Sequence, residues 1–370
     1  MDNFYQKCFE HYNDYLSAYR RFDKHAGMLK TIGRFKPYFK IKQVGTSVEN
    51  REVLLLQAGN GSIKVLIWTQ MHGDEDTATG AIFDILKFFA TNDKLNTYRQ
   101  NILNKLSIYI IPMLNPDGAE KWDRRNHLGI DLNRDALRQV SPESKILQKA
   151  FSEIKPQYCF NMHDQESYYA AGENKTPATI SLLAPPADAG NTVSATRENA
   201  IGVVCSLHNM LQNYIPNGVG KWNDDFEPRA FGEHFQNLGA STILIESGGY
   251  YKDPDRRFAR KLNFVSLLHV FYNLATNQTM NADLQQYNNI PLNNKGIFFD
   301  MILRNVLMNR KGYDFLCDIG LKVQSPQSVS LKVEEVGDLS PFCAFSEHDM
   351  GGIPLNEEIL EKLQISGQLK

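Results

Sequence analysis

Between Ser62 and Phe89 the period of the hydrophobic positions changes. SIKVLIWTQ is short, mostly apolar and preceded by Asn-Gly, which predicts a buried strand. Beyond it, Ala78, Ala81, Ile82, Ile85, Leu86 and Phe89 recur at steps of three and four, one apolar face of a helix. The same handover repeats downstream. SIYIIPML (107–114) reads as a strand ending in the turn NPDG, and residues 143–154 as a helix. YCFNM (158–162) reads as a strand ending at His163, and ATISLLA (178–184) as a strand before a helix at 195–213. STILIE (241–246) reads as a strand ending at Glu246, followed by a helix at 255–274. Upstream, FKIKQVG and REVLLLQAG flank the turn-like TSVEN as a hairpin, and residues 4–31 read as one or two helices. Strands alternating with helices predict an α/β fold, an α/β/α sandwich around a mixed, mostly parallel sheet.

The pattern changes after residue 275. NQTMNADLQQYNNIPLNNKG is polar and rich in asparagine, which suits a linker. FFDMIL, SVSLKVEEV and FCAFS are β-like, and NEEILEKLQ reads as a closing helix. The expected organisation is therefore a catalytic domain at 1–275 and a small β-containing C-terminal domain at 276–370.

Composition narrows the function classes. A net charge of −2 gives no basic excess for a nucleic-acid partner, and no run approaches a membrane span. The start, MDNFYQKCFEHYNDYL, lacks the layout of a secretory leader, and the five cysteines show no paired spacing. Both point to a cytoplasmic location.

The stretch WTQMHGDEDTATG concentrates one histidine and three acids where a strand hands over to a helix. Helix capping accounts for acids in a first turn. It does not account for polar groups at several strand ends at once: His72, Asn115, His163 and Glu246. The carboxyl ends of strands in an open parallel sheet share one edge, where ligands bind. Two imidazoles and one carboxylate hold zinc with the fourth position open, and such a site brings the pKa of its water to about 7. His72, Glu75 and His163 are the candidate ligands of one Zn²⁺ per chain. Glu246, outside that set, is the candidate proton acceptor and donor.

HGDE, NPDG at 115–118, RRNHLGIDLNRD at 124–135, His163 and ILIESGG together resemble the zinc carboxypeptidases of the carboxypeptidase A superfamily, as a bacterial-type peptidase. Order and approximate spacing match across residues 40–275. The resemblance implies that Asp131 orients the first histidine and that Arg124 polarises the scissile carbonyl, with Arg125 the alternative one position on. It implies that Asn133 and Arg134 grip the terminal carboxylate and that Glu246 is the general base and acid. Two departures stand out. Asp74 replaces an arginine before the glutamate ligand, and the family's lid tyrosine has no match. In the corresponding loop, GVGKWNDDFEPRAFG, Trp222 is the candidate aromatic lid, and Asp224 or Asp225 the candidate contact for a substrate amino group.

The implied function is a zinc metallocarboxypeptidase acting on small peptides with a free C-terminal carboxylate. The runner-up is a zinc acylase of the aspartoacylase and succinylglutamate desuccinylase kind, acting on N-acyl amino acids. A rival of another class is a non-catalytic binding protein on the same scaffold.

Overall fold

The computed structural model describes residues 4–165, 168–173, 175–296, 298–323 and 331–356. Among the described residues, fourteen strands follow in chain order: β1 Lys40–Thr46, β2 Glu52–Ala58, β3 Ile63–Trp68, β4 Leu106–Ile111, β5 Tyr158–Asp164, β6 Tyr169–Ala171, β7 Ile180–Leu183, β8 Val219–Lys221, β9 Ser241–Ser247, β10 Asn293–Lys295, β11 Phe298–Arg310, β12 Tyr313–Val323, β13 Leu331–Gly337 and β14 Cys343–Asp349. Eight of them form the main sheet in the order β1-β2-β4-β3-β5-β9-β7-β8. The β4-β3-β5-β9 centre is parallel, while β1, β2 and β7 run antiparallel to their neighbours toward the centre. The predicted mixed α/β sheet is thus present.

Alternate side chains of the central strands enter two separate cores, as the period of two requires. Val65 and Ile67 face a core with the helices Thr77–Ala90, Ala195–Leu211 and Arg257–Ala275. Leu66 and Trp68 face another with the helices Pro142–Ile154 and Phe231–Asn237. The helix Thr77–Ala90 departs from the single apolar face expected of it, because nearly all of its side chains are buried. The N-terminal segment covers the face that would otherwise meet water. Asp84, wholly buried on that face, accepts from the Tyr12 hydroxyl (2.6 Å), Ser17 N (2.7 Å) and both Nε and Nη2 of Arg260 (2.7 and 2.6 Å). Arg260 also donates to Tyr19 O and Ser17 Oγ, so one ion pair ties the first helices to the last long one.

The C-terminal region carries a separate four-stranded sheet in the order β13-β12-β11-β14. Its long hairpin β11–β12 was not predicted as such. Lys311 and Gly312 both take positive φ (53° and 81°), which suits a two-residue turn that matches strand twist. NEEILEKLQ falls almost wholly outside the described residues. Among the described residues, no helix is long and apolar enough to cross a membrane.

Removing one partner of a buried ion pair leaves the other charge uncompensated, at a cost of about 3–5 kcal/mol. Arg260→Ala should lower unfolding free energy by that amount in urea titrations; a loss below about 1 kcal/mol would show that Asp84 is satisfied without it.

Candidate metal centre and substrate cleft

His72 and Glu75 lie in the turn between β3 and the helix Thr77–Ala90. Glu75 N donates to His72 O at 3.2 Å, which turns both side chains into one space. Gly73 permits the turn, since a Cβ there would overlap the Gly118 backbone. His163 was expected just beyond its strand but lies within β5, which runs on to Asp164. It pairs in register with Glu246 of β9, so the two side chains are neighbours across the sheet edge.

The three candidate ligands converge and are buried. His72 Nδ1 lies 2.6 Å from Glu75 Oε1, His163 Nδ1 lies 2.7 Å from Glu75 Oε2, and the two Nδ1 atoms are 3.1 Å apart. Among the described residues this is the one group of His, Cys, Asp and Glu arranged to hold a metal ion. The arrangement fits zinc: two ring nitrogens and a carboxylate point at a common centre, and the two Nδ1 atoms, 3.1 Å apart, cannot both turn a proton toward each other. Between these groups His72 is held up at about 9: burial pulls it down, but the Glu75 charge and hydrogen bonds to Asp131 and Glu75 win. His163 is pushed down by burial despite the same glutamate. Glu75 itself is held well below the ordinary range, because the imidazoles outweigh its burial.

Around this centre, Asp131 Oδ1 sits 3.1 Å from His72 Nε2, where it can fix the ring's tautomer. Arg124 donates from Nε to Asp131 Oδ2 and from Nη1 to Glu75 Oε1, both at 3.2 Å. The neighbouring Arg125 instead donates to Gly129 O. Glu246 is buried, and burial followed by the Glu75 charge raises it well above the ordinary range.

A cleft of about 470 Å³ opens over these groups, and Arg124, Asn133, Arg134, Trp222 and Glu246 all line it. Asp131 Oδ1 accepts from Asn133 N (2.9 Å), and Asn133 Oδ1 accepts from Phe231 N (3.0 Å), which fixes that turn. Arg134 Nη1 donates to Asn133 O at 2.7 Å, and its Nε meets Glu227 at 3.3 Å. Asp224 does not line the cleft. Its carboxylate is drawn 3.3 Å from the buried Arg197, whereas Asn223, Asp225 and Glu227 on either side do line it. Asn115, grouped with the site by its strand-end position, is instead fully buried and caps the helix Pro116–Lys121 through Gly118 N.

The capping explanation for the acids finds little support in the geometry. Asp76 occupies the N-cap position without a side-chain cap bond, and its Oδ2 accepts from Phe22 N. The Thr77 amide is met by Asp164 from β5. Asp164, Tyr169, Glu227 and Glu233 all line the cleft, and motif reading singled out none of them. Glu233, buried in a short helix, is pushed up to about 7 by desolvation.

The fold is that of the metallocarboxypeptidases. A Burkholderia cenocepacia metallo-carboxypeptidase superposes with a TM-score of 0.54 at 18% identity, covering 68% of each chain. A Pseudomonas aeruginosa metallo-carboxypeptidase, solved with (2-guanidinoethylmercapto)succinic acid, gives 0.55 at 18%, covering 67% of this chain and 68% of that one. Residues 27–199 match the family model of the zinc carboxypeptidases, which bears out the resemblance carried by the motifs. Carboxypeptidase 2 of Trichophyton rubrum is 28% identical over 152 residues, 40% of this chain and 26% of that protein. The matched part thus spans about a quarter of that relative's length.

An outer carboxylate on a ligating imidazole typically accounts for 10–100-fold in metal affinity. Asp131→Asn should weaken zinc binding by roughly that factor in chelator competition. An unchanged affinity would mean that Asp131 does not orient His72.

Proposed function

We propose that the chain is a zinc metallocarboxypeptidase that hydrolyses the last peptide bond of small peptides bearing a free C-terminal carboxylate. One observation carries the reading. The His72, Glu75 and His163 cluster, a separate buried carboxylate (Glu246) and two arginines at different depths all line one cleft. His72 Nδ1, His163 Nδ1 and Glu75 would hold one zinc ion, which supplies Lewis acidity toward water and toward a carbonyl.

The remaining work falls to the protein's own groups. Arg134 and Asn133 hold the terminal carboxylate, for which a guanidinium fork offers two parallel donors. Arg124 donates to the scissile carbonyl oxygen as negative charge develops there; such a donor is typically worth about 3–4 kcal/mol. Glu246, which the charge of a bound zinc ion would keep ionised despite its burial, takes a proton from the attacking water. As the C–N bond breaks, it passes that proton to the departing amine nitrogen. A cytoplasmic site of action is proposed alongside, supported by the scattered, unpatterned spacing of the five cysteines along the sequence.

The cleft also favours a side-chain class. Asp225, Glu227 and Glu233 line it, and Glu227 is already shared between Arg134 and Arg229. Of the three only Glu233 is buried, and a buried carboxylate facing a ligand site favours a cation in that ligand. The Pseudomonas aeruginosa structure holds a compound that joins a guanidino group to succinic acid. The proposed substrate therefore ends in lysine, arginine or a similar cationic residue, with its charge beside Glu233.

Loss of a general base typically costs about 10²–10⁴-fold. Glu246→Gln should lower turnover of a free-acid peptide by that factor while zinc content is unchanged; near-normal turnover would remove Glu246 from the mechanism. The C-terminal amide of the same peptide should be spared by the wild type, and equal cleavage of acid and amide would favour an amidase or acylase.

Glu233 offers a separate check on the side-chain class. Since it sits at about 7, its anion forms as pH rises, so the preference for a lysine-ending over a leucine-ending peptide should grow from pH 6 to 8. Glu233→Gln should flatten that trend and cut kcat/KM for the lysine peptide roughly 10- to 100-fold, the range of a charge-assisted hydrogen bond. A leucine preference at every pH would overturn the side-chain class alone.

A further inference from the structure

The segment 284–295 has the composition of a linker, yet it runs back along the main sheet. Pro291 O accepts from Lys221 N (2.7 Å), and Leu292 O accepts from Gly172 N (2.8 Å). Leu292 also bridges Lys221 in parallel, covering β8, the edge strand of the main sheet. Asn293, Asn294 and Lys295 then pair antiparallel with Ala171, Ala170 and Tyr169. The Asn293 side-chain oxygen accepts from Ser181 Oγ (2.8 Å) and packs where a Cβ on Gly220 would stand. Earlier in the segment, the Tyr287 hydroxyl accepts from Ala184 N (3.2 Å), and Lys221 Nζ lies 4.7 Å from its ring centre.

These contacts frame two cleft residues. Tyr169 ends the pairing with β10, and Trp222 follows directly on Lys221. Both line the cleft, their rings edge to face with centroids 5.2 Å apart. A three-residue ribbon is marginal on its own. Here the C-terminal sheet supports it from behind. Phe298 and Cys343 form a small core with Ala170, to which Tyr168 and Phe345 add their rings at 4.3 Å. Tyr168 also hydrogen-bonds Asp300 of β11, and Lys175 Nζ donates to Ser340 O (3.0 Å).

We infer that the strand Asn293–Lys295 and the sheet behind it position the aromatic wall of the substrate cleft, Tyr169 and Trp222, so that the C-terminal region is part of the binding apparatus. The chain continues the edge of the main sheet at Lys221 and then crosses to β6, joining the two sides that carry these rings. Asn293 and Phe345 act through Tyr169 and Trp222 and are positioning residues; neither lines the cleft. The inference rests on the proposed cleft only through those two rings, so one of its readouts needs no turnover.

Phe345→Ala and Asn293→Ala in the full chain test it. Acrylamide quenching of Trp222, taken as the difference from the same protein carrying Trp222→Phe, should increase about twofold or more in both variants, as in a loosened loop. KM for a short free-acid peptide should rise about tenfold, with kcat within about twofold and zinc content unchanged, the signature of lost substrate positioning rather than lost chemistry. Phe345→Leu, which keeps an apolar contact, should restore both readings. Unchanged quenching, or a lower melting temperature with KM unaltered, would overturn the inference and leave the sheet a stabilising appendage. Changed quenching in a protein that cleaves no peptide would overturn the carboxypeptidase reading while leaving the inference standing.

Discussion

One buried carboxylate organises the centre of this molecule. Glu75 meets His72, His163, the Arg124 guanidinium and the Asp164 backbone amide, and is almost without solvent. An isolated anion in such a place would cost many kcal/mol, so the surrounding positive and donor groups are required for it to stay charged. Those groups come from three separate parts of the chain. The demand of one acid therefore fixes how the β3 turn, the β5 end and the 124–134 loop must meet.

The sheet meets that demand through register. β3, β5 and β9 are adjacent and parallel, so their carboxyl ends share an edge, and His163 stands directly beside Glu246. Arg256 secures the same edge from outside: it donates to Ser247 O and Gln165 O and lies 3.4 Å from Asp164. Cleft residues farther out are held less directly. Arg134 is nearly half exposed and its partners are a loop carbonyl and Glu227, which suits a group that must exchange partners when a ligand arrives.

Much of this was legible because it is periodic or locally spaced. The strands at 63–68, 106–111, 158–164 and 241–247 and the helices after them follow from runs and three-to-four steps. His72, Glu75, His163 and Glu246 follow from strand ends. The rest depends on contacts that no local pattern encodes. β6, β8 and β10 are three residues each, too short for a period to show. Asp224 and Asp225 are equivalent in sequence, and only the buried Arg197 decides which one turns away from the cleft. Glu233 reads as an ordinary helical glutamate until the helix is seen to border the cleft. Asp164 caps a helix from another strand, which no sequence neighbour announces. The asparagine-rich 276–295 segment has the composition of a tether, yet its backbone pairs with two strands of the first region.

On the proposed reading, the two Nδ1 atoms and Glu75 hold one zinc ion between them. Anomalous scattering from crystals, recorded on both sides of the zinc absorption edge, locates such an ion. A single strong peak is expected about 2.0–2.2 Å from His72 Nδ1, His163 Nδ1 and a Glu75 oxygen. A zinc-loaded crystal with no peak there, or with its peak at ring Nε2 atoms or at another cluster, would contradict it.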